Sequence, residues 1–155
     1  MPLLRNSIVP DTWVSLSDED ELPEDVTHCV ISLARYIELA HEQSSTPGGL
    51  TLNPADDVSL VTPFVNQLKL ICIDFPVYTD GRGYSHARLL RKRLGYTGEL
   101  RAVGDIRADQ VLFMQRTGID TYFFKTEPDE SLIAELTTRY KQNYQPSYPL
   151  LTQSH

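Results

Sequence analysis

A chain of 155 residues with a formal charge of −7 is long enough for one domain with a real core, and its acidity argues against general nucleic-acid binding. No apolar run approaches the roughly 18 residues of a membrane span, and "MPLLRNSIVPDTW" has neither the sustained apolar core nor the cleavage site of a signal peptide. A cytoplasmic protein that binds neither membrane nor nucleic acid is the expectation.

Residues 1–27 read as an irregular lead-in, with "SLSDEDELPED" as an exposed, charged connection. "CVISLARY" (29–36) reads as a strand, and 38–49 as a short helical turn broken at Pro47-Gly48-Gly49. "LTLNP" (50–54) is a second strand. Residues 56–68 carry Val58, Val61, Val65 and Leu68 at helical spacing, with Pro63 inside the run. "KLICIDF" (69–75) is an apolar run of the kind covered on both faces. Then come a helix at 84–94 closed by Gly95, a strand at 99–105, a helix at 108–118, a strand at 120–124 and a helix at 129–144. A tail at 146–155 is expected to be flexible.

That alternation predicts one α/β domain over 28–145, with about five mainly parallel strands and helical crossovers. A full eightfold barrel needs about 250 residues, so the choice lies between a partial TIM-barrel-like sheet and a small open one. Cys72 shares a strand face with Asp74, and Arg101 shares one with Val103 and Asp105. Charged groups on inner strands suit a face that lines a site, and an Asp74–Arg101 pair at its mouth is expected. The helix at 108–118 is apolar nearly all round, through Val111, Leu112, Phe113 and Met114, which predicts burial on both sides and a homodimer.

Charge is unevenly distributed. Residues 1–60 hold eleven acids and two bases, whereas 80–116 hold eight bases and four acids. The basic stretch contains "DGRGYSHARLLRKR". Glycines at 81 and 83 allow backbone N–H groups to converge at a helix start, and Arg82 stands between them. Tyr84, Arg88 and Arg91 follow at i, i+4 and i+7 on one helical face, while Ala87, Leu90 and Leu94 should pack on the sheet. Guanidinium forks bind oxyanions in pairs of hydrogen bonds. An anion seat built from Arg82, Gly83, Tyr84, Ser85, Arg88, Arg91 and Arg101 is therefore expected, against the alternative of a turn that needs glycine for geometry alone. Asp74, Asp80 and Asp105 lie at strand ends, where α/β folds keep acid–base groups, although either of the latter two equally suits a helix cap. Of four histidines only His86 stands near that loop. Cys29 and Cys72 are isolated, so disulfide exchange, metal and cofactor have no sequence support, and no catalytic motif is visible.

The series Asp74-Phe75-Pro76, Asp80 to Ser85, Gly98 to Asp105, Asp109-Gln110 and Arg116 before Gly118-Ile119-Asp120 resembles a bacterial family catalogued as domain of unknown function 934. The resemblance spans about residues 28–145. Its members carry the description of an oxidoreductase of sulfite reduction and are encoded near sulfite reductase and phosphoadenylylsulfate reductase. What the resemblance implies is a place in sulfate assimilation, with sulfite, sulfate or a phosphosulfate as the anion and sulfite reductase or another enzyme of that route as partner. Three readings follow: a non-redox accessory protein that binds the anion or the reductase; a small enzyme on a phosphorylated or sulfated substrate, with those aspartates as acid–base groups; or an oxidoreductase with a borrowed cofactor.

Overall fold

Among the described residues six strands run parallel in chain order, and an antiparallel pair of short strands extends one edge. The structure, a computed structural model, describes residues 3–4, 8–9, 11–77 and 79–124; the expected helix at 129–144 and the tail lie outside them. The strands are β1 (Leu3–Leu4), β2 (Ile8–Val9), β3 (Val14–Ser15), β4 (Cys29–Ser32), β5 (Gly49–Leu52), β6 (Leu70–Phe75), β7 (Glu99–Gly104) and β8 (Thr121–Phe123). Their order is β2-β1-β8-β7-β6-β5-β4-β3.

The sheet must curl. Laid flat, eight strands at ~4.8 Å put the edges about 34 Å apart, yet the edge strands β2 and β3 are joined through Pro10 to Trp13 alone. The steps from Val9 to Val14 reach at most about 18 Å. A partial barrel meets that limit and an open flat sheet does not. The lead-in expected to be irregular thus supplies strands to both edges.

The helices are α1 (Leu33–His41), α2 (Arg82–Lys92) and α3 (Val111–Thr117), with a 3₁₀ segment over Val58–Phe64 and a 3₁₀ turn over Ala108–Gln110. The strand expected over 29–36 ends at Ser32, whose hydroxyl accepts from Arg35 N at 3.2 Å and so starts α1 inside the predicted run. Pro63 has no N–H and crowds the carbonyl four residues back, which favours the tighter 3₁₀ winding of its segment. Even so, Val58, Val61, Val65 and Leu68 are all buried as their spacing predicts.

Strand alternation separates two faces. Outward from β4 to β8 point Ile31, Leu50, Leu52, Ile71, Ile73, Phe75, Leu100, Ala102 and Tyr122, which form the main core with the helices. Inward, Val30, Leu70 and Cys72 cluster with Trp13 and Val103. The inward rows also hold Gly49, Thr51, Asp74, Glu99, Arg101 and Thr121. Closed barrels fill their interior with bulky branched side chains; small and polar residues replace many of them here.

Candidate functional site

Two places gather the residues named from the sequence: the β6–α2 corner and the inside of the curled sheet.

At the corner Gly81 is the N-cap of α2, without a side-chain cap hydrogen bond, and Asp80 stands just before it. Asp80 Oδ1 accepts from Arg82 N at 3.1 Å at the start of α2, and Arg82 Nη2 meets Oδ2 at 2.7 Å while Nε reaches both oxygens. The fork of Arg82 therefore holds a carboxylate of its own chain, although its side chain stays 61% exposed. Those hydrogen bonds from the Arg82 side chain and backbone hold the Asp80 carboxyl down at about 2, below its ordinary 3.8. The contribution of Asp80 is thus complete above about pH 3.8 and is lost as pH falls through about 2. A carboxyl-carbon NMR titration should give Asp80 a midpoint near 2, rising only part of the way to the ordinary range in Arg82→Ala, which keeps the backbone donor.

Gly83 is needed for close approach. A Cβ there would stand 2.6 Å from two ring atoms of Phe75, so α2 lies directly on β6 at this point. Tyr84 then packs between Phe75, with ring centroids 5.2 Å apart, and Phe113 of α3 at 4.8 Å edge-on. Arg88 lies over the outer ring at 5.8 Å. Ser85 is exposed on the same helix. His86 is buried, with Nδ1 making no hydrogen bond among the described residues, and burial lowers its pKa against the pull of Asp56.

The expected common face of Tyr84, Arg88 and Arg91 divides. Arg88 is exposed, whereas Arg91 turns inward: its Nη2 meets Asp120 Oδ2 at 2.7 Å, and its other nitrogens donate to the carbonyls of Gly118, Tyr96 and Gly98. With 1% of its side chain exposed, Arg91 is closed to an outside ligand. Ala87 and Leu90 are fully buried and Leu94 packs on the core, as expected. The helix expected to be buried on both sides keeps Phe113 48% exposed, because only Val111, Met114, Gln115 and Thr117 face the core.

Inside the sheet Arg101 is 6% exposed and pairs with Glu99 Oε2 and Asp11 Oδ1, both at 3.0 Å. Thr121 donates to the same Glu99 oxygen at 2.7 Å. The expected Asp74–Arg101 pair is not made: the register sets Arg101 opposite Cys72 and Asp74 opposite Val103, one inward row closer to the strand ends. Asp105 follows β7 and pairs with Arg107 at 3.3 Å, both well exposed. Asp11, Trp13, Cys72, Arg101, Val103 and Phe123 help to enclose a cavity of about 250 Å³. Burial pushes the Cys72 thiol up to about 12, so it stays protonated and unreactive at neutral pH. Among the described residues no cluster of His, Cys, Asp and Glu could hold a metal ion.

Asp11, Trp13, Glu99 and Thr121 were not among the residues picked from the sequence. Glu99 and Arg101 at i and i+2 on one strand face were a readable signal; the reach of Asp11 across 90 positions was not.

A family model for a bacterial protein of unknown function (DUF934) matches residues 49–150, beginning later than the resemblance expected and holding every candidate residue named from the sequence. No curated protein and no solved structure matches.

Proposed function

The chain belongs to the DUF934 family of bacterial proteins of unknown function, and from that premise we propose that it is a non-redox accessory protein of sulfite reduction that docks on an acidic surface of the reductase or of another enzyme of that route. The observation that carries this reading is the α2–α3 surface, where Arg88 lies over the exposed Phe113 beside Tyr84. Arg82, Lys92, Arg93, Arg107 and Arg116 are exposed on the same stretch of chain. An exposed aromatic ring with an arginine stacked on it has the composition of an interface hot spot. Docking is favoured over capture of a small oxyanion because Arg82 already holds Asp80, Arg91 is internal, and Arg101 already holds the carboxylates of Asp11 and Glu99. Sulfite or a phosphosulfate would have to displace Asp80 from that fork.

None of the described helices is long and apolar enough to cross a membrane, and a cytoplasmic location goes with the proposed route. The exposed ring of Phe113 also favours a second reading, a homodimer through α3.

Immobilised protein is expected to retain purified sulfite reductase at low salt and to release it as ionic strength rises, since exposed charges steer such contacts. Arg88→Glu with Phe113→Ser should weaken retention at least about tenfold. Retention that the double variant leaves unchanged, or no retention at low salt, defeats docking at this surface. Sedimentation of the isolated chain over the same salt range separates self-association from docking.

A further inference from the structure

We propose that the cavity inside the curled sheet takes a neutral, planar nitrogen heterocycle of nucleobase or nucleoside size. Interiors of small barrels are normally filled by side chains. Here a cavity of about 250 Å³ remains beside Arg101, whose side chain is 6% exposed. That volume lies just below the range of drug-sized pockets and suits one fused ring system with a small substituent.

The polar groups define the chemistry. A guanidinium carries five N–H donors; Arg101 gives three to Glu99 and Asp11, which leaves two among the described residues. Asp11 Oδ1 already accepts from Arg101 and from Trp13 N, and its carboxylate is 28% exposed and able to accept more. A guanidinium donor beside a carboxylate acceptor matches the edge of a base that offers a ring nitrogen or carbonyl next to an amino group. Trp13 and Phe123 add aromatic walls, on which any base can stack. A compact anion is disfavoured, because Arg101 already faces two carboxylates and another negative charge would meet repulsion.

Trp13 is the sole tryptophan, so its emission reports on this cavity alone. In the intact chain, adenosine, guanosine, uridine and, separately, sulfite are titrated while Trp13 fluorescence is followed. At least one nucleoside should quench it saturably with a dissociation constant below about 1 mM, and sulfite should not. Arg101→Lys, which keeps the charge and loses the fork, should weaken that binding about tenfold. Val103→Phe fills the cavity without touching the ion pairs and should abolish binding while the melting transition stays cooperative. The proposal is overturned if no nucleoside saturates, if sulfite alone does, or if folded Val103→Phe responds like the parent. Docking at α2–α3 is read by retention of the reductase, so either result stands without the other.

Discussion

Replacing Arg91 by alanine is expected to lower stability by about 3–5 kcal/mol, the usual cost of leaving one partner of a buried ion pair without the other. Arg91 and Asp120 have 1% and 2% of their side chains exposed, so water cannot replace the missing partner. The guanidinium also supplies donors to three carbonyls, of Tyr96, Gly98 and Gly118, and lies over the Tyr96 ring at 5.6 Å. These acceptors lie on the connections that enter β7 and β8, so one side chain of α2 fixes where both strands begin. Asp120 Oδ2 in turn accepts from Leu100 N at 3.0 Å. Lysine at position 91 keeps the charge but lacks the fork, and should recover only part of the loss. Adding Asp120→Asn to Arg91→Met should cost little beyond Arg91→Met alone, because the second change relieves an unpaired charge. Urea unfolding checks all four variants; midpoints should fall while the slope holds. A loss below about 1 kcal/mol for Arg91→Ala would mean that the pair contributes no more than an exposed one.

Arg91 also marks where sequence reading reached its limit. At 100° per residue it stands only about 40° from Ala87, whereas Arg88 stands about 100° away. The spacing grouped Arg91 with Tyr84 and Arg88 on the face beside the glycine loop, although the same wheel sets it next to Ala87. What decided the matter was Asp120, 29 positions along and invisible to any local pattern. Parallel strands with crossovers were legible because the run at 70–75 is apolar on both faces and the outward residues of its neighbours alternate cleanly. Six parallel strands formed where about five were expected, since Val14–Ser15 is too short to carry a period. The closing of the sheet into a partial barrel was legible only as a choice between two shapes; the four-residue link from β2 to β3 decides it, and those strands are themselves too short to predict. At the corner, Asp80 was expected as an acid–base group or a helix cap from its place after a strand; it stands just before the Gly81 N-cap, and its hold on the Arg82 side chain shows in no local pattern.

The second large effect is expected at the end of β7, where Gly104→Ala should cost about 2–4 kcal/mol, the sum of a backbone penalty and a steric one. Gly104 has φ of 95°, in the left-handed region that side chains adopt at a cost of about 1–3 kcal/mol. A Cβ there would also stand 2.5 Å from the Phe75 carbonyl oxygen and 2.6 Å from Asp74 Oδ1. Backbone cannot swing away as a flexible side-chain tip can, so relief requires β7 to part from β6 at their last paired residues, Phe75 and Gly104. The hydrogen bond from Asp105 N to Phe75 O, at 2.6 Å, would part with them. Gly95 provides the internal comparison: its φ is 66°, and a methyl group there would meet nothing within 4 Å. Gly95→Ala therefore carries the conformational cost alone, about 1 kcal/mol. The gap between the two alanine variants in urea midpoints measures how tightly β6 closes on Gly104. Equal midpoints would mean that β6 and β7 yield freely where their pairing ends.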